Sequence, residues 1–363
     1  QAEFTRQRTK ILAALKAMNA DIYALCKVGE GRTAVQDIVN GLNEAEGTDK
    51  YAYIDSGDSH ESTYTKNVFV YNTTKVTPYK EFRTIGSYLK LRHVAQAFDL
   101  KENQERLIIS LNHFKSKSSG NGSNADQYDG QGSSNIQRQS DARTLINELN
   151  ALISYYEDPD ILILGDLNAY SKEDPIRVLE EGKLINELQK YAPNEYSYAF
   201  FSNNSYATGY LDHSFATATL DAQICYAHPF HINADEPGVL KIIGGKPQKD
   251  NMYRCSDHNP IVTFIKLGTT TGIESPTLSH PDIELIGDPR SGYLTLVSNT
   301  DFVLIRAEIV NIGGQIIAAY DTGNTGNTEN HFTLPVKSLA RGFYLVRAYD
   351  AQGRCTTCKA VLP

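Results

Sequence analysis

Asp166 and Asn168 stand two positions apart at the end of ILILGDLNAY, residues 161–170, where an apolar run stops abruptly. On an extended backbone, residues two apart point the same way, so the pair offers an acceptor and a donor to one phosphate or attacking water. Alone, GDLN reads better as an Asx turn closing a strand. Three more stretches lift it above that. YRCSDHNPIVTFI, residues 253–265, places Asp257 and His258 before an apolar strand, with Pro260 fixing the turn. GYLDHSFA, residues 209–216, places Asp212 and His213 before another, and RLIISLNHFKSK, residues 106–117, puts Asn112, His113, Lys115 and Lys117 just beyond a β-branched strand. Carboxylates and imidazoles at several strand ends suggest a shared site equipped for acid–base chemistry.

GDLNAYSKEDP, the SDHNP turn, the LDH turn, NHFKSK and DGQGSSNIQR at residues 129–138 together resemble the endonuclease/exonuclease/phosphatase superfamily. The likeness is closer still to its extracellular bacterial nucleases, over residues 1 to about 266. It implies metal-dependent attack of water on a phosphodiester, with DNA or RNA outside the cell as substrate. It also implies that Asp257 binds Mg²⁺ or Mn²⁺ and that His258, held by Asp212, activates or orients the water. Asp166 and Asn168 would position the nucleophile and a phosphate oxygen, and His113 would steady the developing charge or protonate the leaving oxygen. Arg92, Asn112, Lys115 and Arg138 are the expected substrate contacts; Arg92 and Gln96 read equally as ordinary strand-edge polar residues.

Lys27 departs from that pattern. ADIYALCKVGEG, residues 20–31, reads as a strand entering a glycine-bracketed turn, and the resemblance implies a metal-binding glutamate where Lys27 stands. An ammonium there removes a ligand and repels a cation, so metal affinity is expected to be weak, although Lys27 could itself pair with the phosphate. Glu30 is the candidate replacement ligand; its alternative is a solvated loop acid. The same scaffold serves phospholipid and inositol phosphodiesterases, and Lys27 also fits a catalytically impaired binding protein. Asp126 and Asp129 are candidates for a structural cation such as Ca²⁺, or plain solvated acids. His228, His231, Asp235 and Glu236 lie close together in HINADEP and its approach, a string the resembling nucleases carry as a loop beside the site.

The elements that must position these groups follow from periodicity. Phe4, Ile11, Leu12, Leu15 and Met18 recur at helical spacing over residues 3–19, and Val35, Ile38, Val39 and Leu42 over residues 34–43. YAYID, NVFVY and VAQAFDL read as strands. A Gly/Ser/Asn/Asp loop at residues 116–135 should overhang the site, followed by a helix to about Leu152 and a short helix with Pro175 in its first turn. The fold class is α/β: a four-layer α/β/β/α sandwich over residues 1–266, with the resemblance implying a strand ahead of the first helix. A Gly/Thr/Ser/Pro linker spans residues 267–282, and short alternating strands at 283–363 make a small all-β sandwich. IVNIGGQII, LPVKSLARGFYLVRAYDAQGR and KAVLP there resemble the sorting domains of the type IX secretion route. That resemblance implies a secreted or cell-surface protein that meets the secretion machinery, with a generic adhesion or carbohydrate-binding module as the alternative.

Composition sets limits. No run approaches the ~18 apolar residues of a membrane span. The net charge is −8, with 7 basic and 9 acidic residues in 268–363, which argues against tight sequence-independent DNA binding. Five cysteines cannot all pair within one chain, and the single CTTC at Cys355 and Cys358 reads better as a local disulfide or thiols than as a zinc site. A monomer is expected.

Overall fold

The computed structural model of the chain describes residues 2–57, 65–86, 91–118, 120–202, 205–236 and 251–268, then 283–286, 292–298, 303–311, 315–321, 331–340, 342–350 and 355–362. It divides into two compact units, residues 1–270 and 271–363. The expected linker lies, from residue 269 onward, outside the described residues.

In chain order the first unit runs α1 (Ala2–Met18), β1 (Ile22–Gly29), α2 (Thr33–Glu46), β2 (Tyr51–Tyr53), β3 (Thr65–Asn72), β4 (Val76–Thr84), β5 (His93–Leu100) and β6 (Arg106–His113). It continues α3 (Asn135–Tyr156), β7 (Ile161–Asp166), α4 (Asp174–Glu181), β8 (Ile185–Asn186) and α5 (Glu187–Tyr191). It ends with β9 (Tyr198–Ser202), β10 (Ser205–Gly209), β11 (Asp212–Ala216), α6 (Ala218–Asp221), β12 (Ile224–Pro229) and β13 (Ile261–Ile265).

Strand alternation builds the layers. A six-stranded sheet, ordered β4-β5-β6-β7-β11-β8, is antiparallel except between β6 and β7. One of its faces carries Ala95, Ala97, Ile108, Ile161, Ile163 and Phe215 against Leu145, Leu152 and Tyr156 of α3 and Ile176 and Leu179 of α4. The alternate positions Val94, Phe98, Leu107, Ile109, Leu111, Leu162 and Ala216 face the other way and meet Phe69 of β3. In the three-stranded sheet β1-β3-β2, Val68 and Val70 flank Phe69 and point outward, beneath Leu15 of α1 and Val35, Val39 and Leu42 of α2. The first unit is therefore the four-layer α/β/β/α sandwich. Strand β4 contains Pro78 and stands at the sheet edge, where a missing N–H leaves no ladder bond unmade.

The second unit contains β14 (Ile283–Ile286), β15 (Tyr293–Ser298), β16 (Leu304–Asn311), β17 (Ile316–Asp321), β18 (His331–Pro335), β19 (Gly342–Asp350) and β20 (Cys355–Leu362). They form two antiparallel sheets, β14-β15-β18 and β17-β16-β19-β20. Leu294, Leu296, Leu304, Ile309, Phe332, Leu334 and Val346 fill the core between them, making a small all-β sandwich.

Candidate active site

Sheet register assembles the site. His113 is paired with Asp166 across β6 and β7, and Asp166 with Asp212 across β7 and β11. The His113 N–H donates to the carbonyl of Arg92, adding a fourth member to the row. Residues in one row of a sheet share a face, so chain segments far apart in sequence deliver their side chains together. The row depends on Gly165: at φ +134° it pairs with Asn112 and His213, and an added Cβ would stand 1.9 Å from the carbonyl oxygen of Asn112. This glycine permits close strand approach inside β7 rather than a turn after it.

Two segments from outside this sheet complete the cluster. His258 lies in the turn before β13, and its Nδ1 is 2.7 Å from Oδ2 of Asp212. Asn259 and Asn233 hold that turn. The Asn259 side-chain oxygen accepts from the N–H groups of Asn233 and Ala234, and the Asn233 amide donates to the carbonyl of His258. From β1, the Nζ of Lys27 reaches to 3.6 Å from Oδ2 of Asp166. The ring of Tyr198, which forms a β-bridge with His258, packs on that imidazole at 4.8 Å between centroids.

Burial and charge set the protonation states. Burial lowers the His258 imidazolium, but the charge and hydrogen bond of Asp212, helped by Asp166 and Asp257, outweigh it and raise the group to about 9. Burial first, and the Arg92 and Lys27 cations next, push His113 down to about 2. It is therefore a neutral imidazole, and its 3.8 Å approach to Asp166 is neither an ion pair nor a hydrogen bond. Burial and the charge of Asp212 raise Asp166, while His258 and Lys27 oppose the rise. Burial also pushes the neighbouring Cys26 thiol up to about 12, so no thiolate forms there.

Several expected residues take other positions. Arg138 is fully buried, its guanidinium donating to the carbonyls of Lys115, Gln131 and Ser133, so it ties down the 116–135 loop and does not contact substrate. Asn112 is likewise fully buried, its amide donating to Ser110. The Asn168 amide donates to the carbonyl of Phe114, and its N–H to Oδ1 of Asp166, which is the Asx turn. Asn168 thus positions Asp166. Arg92 donates to the Phe114 carbonyl, and the Lys115 N–H donates to Asp141. Asp126 and Asp129 are exposed, each accepting from a backbone N–H two residues on, so they close turns. The HINADEP loop braces the His258 turn: Asp235 accepts from Asn259 and pairs with His231, which also meets Glu195. Sequence reasoning missed Tyr198, Asn233 and Asn259; only the asparagine after Asp257-His258, in the proline turn, carried any signal.

Among the described residues, one group of three or more His, Cys, Asp or Glu side chains has the spacing of a metal site: Asp166, Asp212 and His258, with donor atoms within 4.8 Å of one another. The exposed Asp257 and half-buried Glu30 do not belong to it. The charges in place, however, do not fit a divalent ion. Lys27 places an ammonium 3.6 Å from Asp166, and the imidazole of His258 faces Asp212. An ion held by Asp166 would meet the Lys27 ammonium beside it, and ligation by His258 would require the neutral imidazole.

Two family models match the chain, one over each unit. A sorting-domain sequence model, "Secretion system C-terminal sorting domain", matches residues 288–362. That domain marks the chain for type IX secretion to the cell surface or extracellular space and implies contact with the secretion machinery. Among the described residues no helix is long and apolar enough to cross a membrane. No curated protein matches the chain. Similar solved structures include a Bacteroides thetaiotaomicron mannosyl-6-phosphatase, 12% identical with TM-score 0.48, covering 72% of this chain and 91% of that one. An endonuclease/exonuclease/phosphatase protein of Bacteroides vulgatus is 12% identical with TM-score 0.48, covering 72% and 92%. The human Nocturnin catalytic domain is 13% identical with TM-score 0.45, covering 72% and 87%. The model of the "Endonuclease/Exonuclease/phosphatase family", whose members are hydrolases that typically use divalent metals, matches residues 2–258, and the chain belongs to that family.

Proposed function

We propose that the first unit is an extracellular phosphodiesterase that hydrolyses nucleic acid, with His258 and Asp212 as its acid–base pair. The observation that carries the reading is the 2.7 Å bond from His258 Nδ1 to Asp212, beside the buried Asp166. With Nδ1 committed to Asp212, Nε2 takes a proton from water once His258 has shed its own, so the neutral form, a minority below about pH 9, is the active one. Water adds to phosphorus, its proton passes to Nε2, and the ester oxygen leaves with the bonding electrons. The neutral His113 offers an N–H to the charge that develops. Asp166, fixed by the Asn168 turn, orients the water. The step uses the chain's own groups, with the Lys27 ammonium supplying positive charge beside Asp166. Tyr198 gives the site an aromatic wall of the kind on which a base stacks, which favours a nucleic acid over a lipid headgroup. The chain is proposed to act as a monomer. Incubating the full chain with supercoiled plasmid, single-stranded RNA and phosphatidylinositol vesicles tests the assignment. Cleavage of a nucleic acid is expected; cleavage of the lipid alone would reassign the substrate.

A further inference from the structure

The backbone of β1 is bent out of regular form to deliver one side chain. Its pairing with β3 is regular from Ile22 opposite Tyr71 to Leu25 opposite Val68, slips by a residue, and resumes at Val28 opposite Lys66. Lys27 lies in that bulge with φ +59°, a left-handed conformation in which Cβ crowds the backbone. Bulges redirect side chains, and this one sends an ammonium to 3.6 Å from the buried carboxylate of Asp166 while 54% of the lysine side chain stays exposed. The ammonium therefore meets Asp166 on one side and open solvent on the other. At that distance the contact is ionic and longer than a hydrogen bond, so the ammonium's N–H donors are not consumed by Asp166.

We propose that Lys27 is the resident cation of this site: it neutralises Asp166 at rest and takes the non-bridging oxygens of a phosphoester when one binds, so that phosphate is held without a divalent ion. The inference rests on the phosphodiesterase reading and deepens it. Lysine is a compact point charge with three rotatable donors, suited to phosphate oxygens. His258, held by Asp212, supplies a second positive group nearby. A lysine serving only to hold the fold would not need a strained bulge, and removing it would weaken the fold.

Titration calorimetry of inorganic phosphate into the full chain in EDTA tests this, with Lys27→Met and Lys27→Gly beside the parent. Glycine adopts positive φ without crowding, so Lys27→Gly should melt no lower than the parent, which excludes misfolding as the cause of any loss. The parent should bind phosphate in EDTA, and both variants should bind about 10- to 100-fold more weakly, the usual range for a lost charge-assisted bond. Lys27→Glu should lose that binding and gain Mn²⁺, read by electron paramagnetic resonance. Phosphate binding by the parent only when Mn²⁺ is added, or equal affinity in the parent and both variants, would overturn the inference. Binding in EDTA without cleavage of any phosphoester supports it and removes the hydrolase reading; cleavage that requires added metal removes this inference alone.

Discussion

Asp212→Asn isolates the charge that governs His258. The parent imidazole is raised from 6.5 to about 9, against burial, chiefly by Asp212. At about 1.4 kcal/mol per pKa unit, that rise is worth roughly 3 kcal/mol of stability. Because the folded value is the higher one, the contribution is fully present below pH 6.5 and is lost as pH rises through about 9. The variant should therefore be less stable than the parent by about 2–3 kcal/mol at pH 6, with the difference closing near pH 10. Catalysis should respond too. The parent rate should climb with pH up to about 9 as His258 sheds its proton. In the variant, burial pulls the imidazole back toward or below its ordinary value, and the plateau should fall by about 10²–10⁴. Denaturant melts at several pH values, nitrogen-15 NMR of the imidazole and a pH–rate profile read these effects. A His258 that titrates near 6.5 in the parent, or identically in both proteins, would refute the reasoning.

Arg138→Met should lower stability by about 1–3 kcal/mol, because it strands the buried carbonyls of Lys115 and Ser133, and should leave KM unchanged in whatever remains folded. A raised KM without a stability loss would return Arg138 to the substrate. Gly165→Ala should cost about 3 kcal/mol or more by forcing β7 away from Asn112, measured by thermal melting. A melting point unchanged from the parent would contradict the strand contact. Lys27→Gly should leave stability close to the parent's, relief of the left-handed backbone offsetting the lost ammonium beside Asp166, checked by urea denaturation. A chain ending at Lys266 should keep its activity and fail to leave the periplasm, checked by cell fractionation; normal export of it would end the sorting role of the tail.

The layers were legible because each has its own period. α1 and α2 announce themselves at helical spacing, and the all-apolar ILIL of β7 reads as a strand covered on both faces. β4 was not legible, since Pro78 and its charged neighbours speak against a strand and only the edge position excuses them. Strand ends carrying Asp166, Asp212, His113 and His258 pointed to a common site, but register decides which of them meet, and register is a long-range property. Arg138 illustrates the reverse error. A basic residue in a polar motif reads as a phosphate contact, while its actual partners are backbone carbonyls that carry no sequence signal. The bulge at Lys27 was also invisible, for nothing in ALCKVG marks a left-handed lysine.

The central claim is that the cluster closed by His258 on Asp212 performs phosphodiester hydrolysis. Cleavage of a phosphodiester by the full chain and by His258→Ala, at equal concentration and at a temperature where melting curves show both proteins folded, tests it most directly. A fall of about 10²–10⁴ in turnover under those conditions is the predicted result. Equal turnover by the two proteins would contradict the account.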